Sequence, residues 1–286
     1  MLGFVLTTSS TGGPNASIDP SEAEVSCDAI LKYAFPDLCE LDTSRGSVKV
    51  RGLHVAYWRY RRKGGSNSGL PLAIVHGGPA MSHQYMLPLK QQACRGREVV
   101  FYDQVGAGES AQPEDPNRTA PWLFTIDYYV EELSALIDVL GWKQFHLLGN
   151  SWGTIVAQAY ALTQDPRLQA VVLSGPLSDA QLYSRSQWDE VEGNLGSLPF
   201  FTQGALRELG DRQAFGSALY LAEDQFLTSF FTVRTTPPPD CYKLAMPTSP
   251  TSHAIYVGMQ GASEFVIGGV LATFNFTGRL HEIHNP

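Results

Sequence analysis

The stretch "FHLLGNSWGTIVAQAYAL", residues 145–162, holds a serine between two glycines, with an apolar run on each side. The first run predicts a buried strand and the second predicts a helix. In that context a G-x-S-x-G pattern indicates a very tight strand-to-helix turn that exposes the central hydroxyl. Bulk at Gly149 or Gly153 would clash with neighbouring elements, and Ser151 would adopt a strained backbone conformation. We therefore predict that Ser151 is a nucleophile rather than a buried serine at an ordinary turn.

Further strands and helices alternate around this turn. Continuous apolar runs in "LPLAIVHGG" (70–78), "REVVFYDQVGAG" (97–108) and "LQAVVLSGP" (168–176) predict strands that are buried on both faces. Between them, "TIDYYVEELSALIDVLGW" predicts a helix with Thr125 as its N-cap and Gly141 as its stop. This order predicts a mostly parallel sheet with helices on both faces.

The pattern differs at the two ends of the chain. Near the start, "SVKVRGLHVAYWRYR" alternates around a glycine and predicts an antiparallel hairpin. After Pro176 it changes to helical pieces and proline-rich breakers, with no recognisable buried strand. We predict a tail over 1–44, an α/β core over 45–176, an inserted helical cap over 177–272 and a return to the core over 273–286.

Composition and charge exclude several classes of function. The net charge of -8 argues against nucleic-acid binding, which needs clustered Lys and Arg. Because no apolar run reaches membrane-spanning length, we expect no membrane partner. The four cysteines lie far apart, without a C-x-x-C pair, so we predict neither a zinc site nor a disulfide framework. Reduced thiols in the cytoplasm fit this spacing best.

The loop "HGGPAMSHQY", residues 76–85, follows the first parallel strand. Paired glycines let backbone amides point into a site, and hydrolases of this kind take one oxyanion donor from such a loop. We predict the amides of Gly78 and Trp152 as the oxyanion hole, and contacts of His76 and Gly77 with substrate. His83 is expected to shape the loop rather than to accept protons.

Four motifs together resemble the proline iminopeptidases, which are α/β-hydrolase-fold serine aminopeptidases. They are "HGGPAMSHQY", "VVFYDQVGAGES", "GNSWGT" and "MQGASEF", and their order and spacing agree from about residue 47 to the end. The resemblance implies release of an N-terminal residue, often proline, from small peptides or amides, without a metal or cofactor. It also implies that Glu264 of "GASEF" receives the substrate's ammonium group, although a surface position for Glu264 stays open. Two residues depart from the family pattern, Ala80 in "HGGPA" and Thr154 in "SWGT".

A serine hydroxyl needs a base, and the base needs an acid that orients it. The resemblance places the acid and the base after "RLHEIHNP", which ends at Pro286, so we expect the C-terminal strands of the fold to be missing. His281 and His284 are expected at the opposite end of the sheet from Ser151, and His253 in the cap. Asp179, after a predicted strand, is the best candidate for a substitute acid.

Three interpretations follow for a chain with this incomplete triad. It is a shortened form of an active enzyme, a catalytically inactive protein that binds peptides, or an enzyme completed by a partner. A fourth interpretation is an esterase or amidase of a small-molecule pathway, because this fold hosts many substrates. An exposed parallel sheet edge also predicts a homo-oligomer that pairs through that edge.

Overall fold

The computed structural model describes Cys27 and residues 38–113, 122–235, 237–247 and 249–286. A six-stranded sheet forms its centre, in the order β1-β2-β4-β3-β5-β6. β2 is antiparallel to its neighbours β1 and β4, whereas β4, β3, β5 and β6 are parallel. The predicted mostly parallel sheet is therefore confirmed. The strands are β1 (Leu41–Val50), β2 (Leu53–Arg62), β3 (Gly69–Val75), β4 (Arg97–Tyr102), β5 (Phe145–Asn150) and β6 (Leu168–Ser174).

The predicted hairpin is β1 and β2, joined by a two-residue turn. Arg51 and Gly52 have φ angles of 46° and 90°, as this type of tight hairpin turn requires. β1 starts at Leu41 and pairs with β2 along its whole length. The last four residues of the segment 1–44 predicted as a tail therefore belong to the sheet. Apart from Cys27 and residues 38–40, the rest of that segment lies outside the described residues.

The helix after β4 begins and ends where the sequence predicts. Thr125 Oγ1 accepts a hydrogen bond from Tyr128 N, and Gly141 takes a left-handed conformation with φ of 67°. The helix is α1 (Ile126–Leu140), and α2 (Trp152–Ala161) follows β5. The buried face of α1 includes Tyr128, Tyr129 and Glu132, whereas Ile126 and Val130 are only half-buried.

Helices occupy the segment 177–272 predicted as the cap. The chain enters and leaves this segment side by side, since Phe276 N donates to Ser178 O and Ala180 N donates to Phe274 O. None of the helices in the described part of the chain has the length and apolar character needed to span a bilayer. The helices are α3 (Ala180–Gln187), α4 (Phe200–Asp211), α5 (Ala218–Phe231), α6 (Asp240–Ala245) and α7 (Pro250–Met259), followed by 3-10 turns at Val270–Thr273 and Thr277–Glu282.

Among the described residues, β6 is the outermost strand on its side of the sheet. Val171 N donates to Pro286 O, so the end of the chain runs beside the first half of the strand. Further along, Val172 and Leu173 are 50% and 37% exposed. The edge predicted to be open is thus partly uncovered, and pairing of two chains through it stays a prediction.

All four cysteines are paired, so the prediction of reduced thiols is wrong for this structure. Cys39 pairs with Cys94 and Cys27 pairs with Cys241, with Cα–Cα distances of 5.6 Å and 5.9 Å. The first disulfide joins the segment before β1 to the 3-10 segment His83–Arg95, and the second joins the N-terminal segment to α6. Spacing along the chain could not reveal these contacts. Because disulfides persist in oxidising compartments, the reason for a cytoplasmic location falls away and that location stays a prediction.

A buried carboxyl group lies between α1 and the loop after β4. Glu132 is fully buried, and its Oε2 accepts a hydrogen bond from Val105 N. Within the described residues, Glu132 Oε1 and the hydroxyls of Tyr102 and Tyr128 have no partner that meets hydrogen-bond geometry. Burial raises the pKa of Glu132 to about 8, with Asp103 adding to the shift. The carboxyl group is therefore protonated at neutral pH.

Replacing Glu132 with Gln is expected to flatten the pH dependence of stability. The unfolded chain loses this proton near pH 4.5 and the folded chain near pH 8, so stability falls as pH rises between those values. The slope that this group contributes is at most about 1.4 kcal/mol per pH unit. Glu132→Gln removes the contribution, because a neutral amide cannot ionise.

Denaturant unfolding at pH 5, 6.5 and 8 measures the effect. Glu131→Gln is the matched control, since Glu131 pairs with Arg51 at the surface and its side chain is 42% exposed. An unchanged pH slope in Glu132→Gln would show that Glu132 is ionised in the folded protein.

Candidate active site

Ser151 occupies a strained turn between β5 and α2. Its φ and ψ angles are 52° and -123°, a conformation that non-glycine residues rarely adopt. A Cβ on Gly149 would lie 2.3 Å from Gly153 O, and a Cβ on Gly153 would lie 2.3 Å from Val75 O. Both positions therefore require glycine, and the predicted tight turn is confirmed.

The turn holds the serine by its backbone and leaves its hydroxyl available. Ser151 N donates to Ser174 O at 2.9 Å, and Thr154 donates to Ser151 O through both its backbone amide and its hydroxyl. Thr154, which departs from the family pattern, is thus accommodated by the turn. Ser151 is half-buried at the first turn of α2, where the helix dipole favours negative charge.

The glycine-rich loop after β3 packs directly against the nucleophile. A Cβ on Gly77 would lie 3.1 Å from Ser151 Cβ and 3.1 Å from Asn150 O. Gly78 has φ of 121°, and a Cβ there would lie 2.7 Å from Met81 N. The loop backbone is therefore in van der Waals contact with the serine turn. The roles of the Gly78 and Trp152 amides as donors, and of Gly77 in substrate contact, remain predictions.

His76 is the first residue of this loop, directly after the end of β3. Its ring is buried, and Nε2 accepts a hydrogen bond from Gln104 N at 3.0 Å. Burial lowers its pKa to about 4, so the ring is neutral at physiological pH. The Gln104 side chain donates to His76 O and accepts from the indole nitrogen of Trp152. The predicted contact of the His76 side chain with substrate is thus not supported by its position, and Gln104 joins the two segments that carry the predicted oxyanion donors.

His83 is a second buried histidine in the same loop. Asp103 Oδ1 accepts from the backbone nitrogen and from Nδ1 of His83, at 2.9 Å and 2.8 Å. Burial alone would raise the pKa of Asp103, but the hydrogen bond and charge of His83 outweigh it and hold the pKa below its usual value. His83 also stacks on Trp58. This position agrees with the expectation that His83 shapes the loop.

Asp179, the predicted substitute acid, connects the two ends of the cap segment. Asp179 Oδ1 accepts from Leu182 N as the N-cap of α3, and Oδ2 accepts from Asn275 Nδ2. Both carboxylate oxygens thus help to hold the entry and exit of the cap together. The role of Asp179 as a substitute acid stays a prediction.

None of the chain's seven histidines hydrogen-bonds Ser151 Oγ, and all seven lie in the described residues. His253, His281 and His284 are exposed side chains.

Glu264 is in the cap, close to the residues that line the loop. Its carboxylate accepts a hydrogen bond from the Tyr256 hydroxyl, and its backbone carbonyl accepts one from Tyr183. Burial raises the pKa of Glu264, and the charge of Asp224 adds to the shift. Burial is also the main cause that raises the pKa of Tyr85, and the charge of Glu264 contributes there too. Glu264 is therefore a partly buried carboxylate, not a surface residue.

No catalytic metal site is evident among the described residues. Cys27, Asp240 and Cys241 bring ligand-type atoms within 4.8 Å of one another. The two sulfurs are joined as a disulfide, so they offer no thiolates to a metal.

The chain is similar to known proteins over most of its length. Residues 71–219 match a family described as alpha/beta hydrolase fold. Proline iminopeptidases of Heyndrickxia coagulans and Clostridioides difficile are 32% and 35% identical, over 85% and 79% of this chain and 80% and 75% of their own lengths. The crystal structure of the Mycobacterium smegmatis proline iminopeptidase has a TM-score of 0.75 at 26% identity, covering 85% of this chain and 79% of that one. VinJ, at 22% identity and a TM-score of 0.74, shares the fold over 85% of this chain and 79% of its own.

Ala80 is expected to strain the loop, and Ala80→Gly is expected to relieve that strain. Ala80 is buried with φ of 63°, a left-handed conformation that costs a residue with a Cβ about 1–2 kcal/mol. Part of the gain is offset because glycine loses more conformational freedom on folding. We expect Ala80→Gly to raise the free energy of unfolding by up to about 1 kcal/mol.

Denaturant unfolding measures this difference. Ala93→Gly is the matched control, since Ala93 is fully buried and its φ is not positive. We expect that control to destabilise the protein. An equal decrease in the free energy of unfolding in both variants would mean that the loop tolerates Ala80 without strain.

Proposed function

The chain belongs to the proline iminopeptidase family of α/β hydrolases, and we propose that it releases an N-terminal residue, often proline, from small peptides or amides. Ser151 attacks the scissile carbonyl, the C–N bond breaks, and the rest of the substrate leaves as an amine that carries the serine's proton. Water then hydrolyses the acyl-enzyme and releases the N-terminal residue. The amides of Gly78 and Trp152 stabilise the oxyanion, and Glu264 receives the substrate's ammonium group. The observation that carries this proposal is the strained Ser151 turn, packed against the glycines of the loop after β3.

The position of Glu264 supports recognition of a free amino group. An aminopeptidase must hold a cation near the carbonyl that it attacks, and a partly buried carboxylate does this well. The charge of Glu264 acts on Tyr85, whose hydroxyl is bonded to Gly77 and Asn150 beside the nucleophile. A bound ammonium group would also offset the repulsion between Glu264 and Asp224.

The second candidate is a peptide-binding protein without catalysis. It is favoured by one observation, that no histidine of the chain reaches Ser151 Oγ in this structure. A triad reduced to its serine keeps roughly 10³–10⁴-fold of rate enhancement, from the oxyanion hole and binding alone. The two candidates therefore differ in whether the serine is activated.

A fluorophosphonate probe tests activation of the serine. We expect covalent labelling of the purified chain at Ser151, because the strained turn presents its hydroxyl and the probe's oxygen occupies the proposed oxyanion hole. Ser151→Ala should abolish the labelling, and Ser229→Ala is the control at an exposed serine of α5. The rate is measured with and without imidazole, which can act as a diffusible base. Absence of labelling under both conditions would support the binding protein.

Glu264→Gln tests recognition of the amino group. Hydrogen bonds to charged groups contribute about 1.5–3 kcal/mol, so kcat/KM for a proline anilide should fall roughly 10- to 100-fold. Hydrolysis of a simple ester without an amino group should change little. Glu208→Gln is the control, since Glu208 pairs with Arg212 on the surface of α4. An equal decrease in kcat/KM for the proline anilide and for the ester would favour the esterase or amidase interpretation.

A further inference from the structure

Tyr85 connects the two segments that form the site. Its hydroxyl accepts a hydrogen bond from Gly77 N and donates one to Asn150 Oδ1, each at 2.6 Å. Gly77 precedes the predicted oxyanion donor Gly78, and Asn150 precedes the nucleophile Ser151. One hydroxyl thus lies between the residues adjacent to the reacting groups.

The hydrogen-bond roles within this link are fixed. Burial raises the pKa of Tyr85 well above its usual value, so the phenol keeps its proton and donates it. The Asn150 amide is oriented from its other end, because Nδ2 donates to Ser174 O and Oγ at 3.3 Å and 3.1 Å. Its Oδ1 therefore faces Tyr85. The result is one continuous chain of hydrogen bonds from the loop, through the nucleophile turn, to the end of β6.

Other contacts do not replace this link. Gln104 connects His76 O to the Trp152 indole, and it makes no hydrogen bond to Gly77 or Asn150 among the described residues. The backbone amide of the buried Gly77 donates to the Tyr85 hydroxyl, so Tyr85→Phe removes the acceptor that this amide has in the structure. Leaving such a buried donor unpaired is costly, and the loop would shift to satisfy it.

We propose that Tyr85 is a positioning residue, which sets the distance between the oxyanion loop and the nucleophile turn by bridging Gly77 and Asn150. This inference rests on the proposed function for its catalytic consequence, but not for the bridge itself. A displacement of about 1 Å between reacting groups can lower a rate roughly 100-fold. The bridge therefore affects how well the site stabilises a transition state, rather than how tightly it binds the substrate.

Tyr85→Phe removes the hydroxyl and keeps the ring. Tyr160→Phe is the matched control, because the Tyr160 hydroxyl donates to Asp165 at 2.5 Å. Tyr160 lies eight residues after Trp152 in α2. At a rise of 1.5 Å per residue, the two residues are about 12 Å apart along the helix axis. Asn150→Ala, which removes the other end of the bridge, is the second variant if Tyr85→Phe folds poorly.

Two measurements are made on all variants. Hydrogen–deuterium exchange of the loop peptide that contains Gly77 should become faster in Tyr85→Phe and stay unchanged in Tyr160→Phe. The second-order rate of fluorophosphonate labelling at Ser151 should fall roughly 10- to 100-fold in Tyr85→Phe only. A merely structural tyrosine would change thermal stability in both variants without this difference in labelling.

The outcomes separate this inference from the proposed function. Exchange at Gly77 that is equal in the two tyrosine variants overturns the bridge. Faster exchange with equal labelling rates overturns the positioning role. If the native chain does not react with the probe, the proposed acyl transfer fails, and the exchange measurement alone decides whether Tyr85 holds the loop.

Discussion

The site depends on a steric constraint, which is the direct contact of backbone with backbone where α2 begins. Gly153 lies so close to the end of β3 that a side chain would overlap Val75 O, and Gly149 is equally close to Gly153 O. This contact forces Ser151 into its unusual backbone conformation. It also brings the end of β3, and therefore the glycine loop that follows, within van der Waals distance of the serine. The position of the nucleophile and the approach of the loop thus have one cause.

Side chains that follow β4 then fix what the backbone contact brings together. Asp103 holds His83, and Gln104 joins His76 to Trp152. These pairs lie at the carboxyl ends of adjacent parallel strands, where such sheets place their functional groups. Both histidines are buried in hydrogen-bonded positions. They therefore support the loop and are not free to act as bases.

Local patterns were enough to predict the strands, the helix caps at Thr125 and Gly141, and the turn around Ser151, because each depends on residues close in sequence. Contacts between distant residues could not be predicted in the same way. Spacing did not show which cysteines meet, and the charge of Glu132 hid its position on the buried face of α1. Asp179 was expected near the site, but nothing in the sequence showed that Asn275 and α3 would use both of its oxygens. The link through Tyr85 was missed for the same reason.

The junction at Ser178–Ala180 and Phe274–Phe276 has a consequence for how proteins of this architecture diversify. The two ends of the insertion lie side by side and are joined by backbone and side-chain hydrogen bonds. An insertion with adjacent ends can be lengthened, shortened or exchanged without moving the strands that carry it. The helical module above the sheet can therefore acquire new selectivity during evolution, or by grafting in the laboratory, while the chemistry beneath it is inherited unchanged.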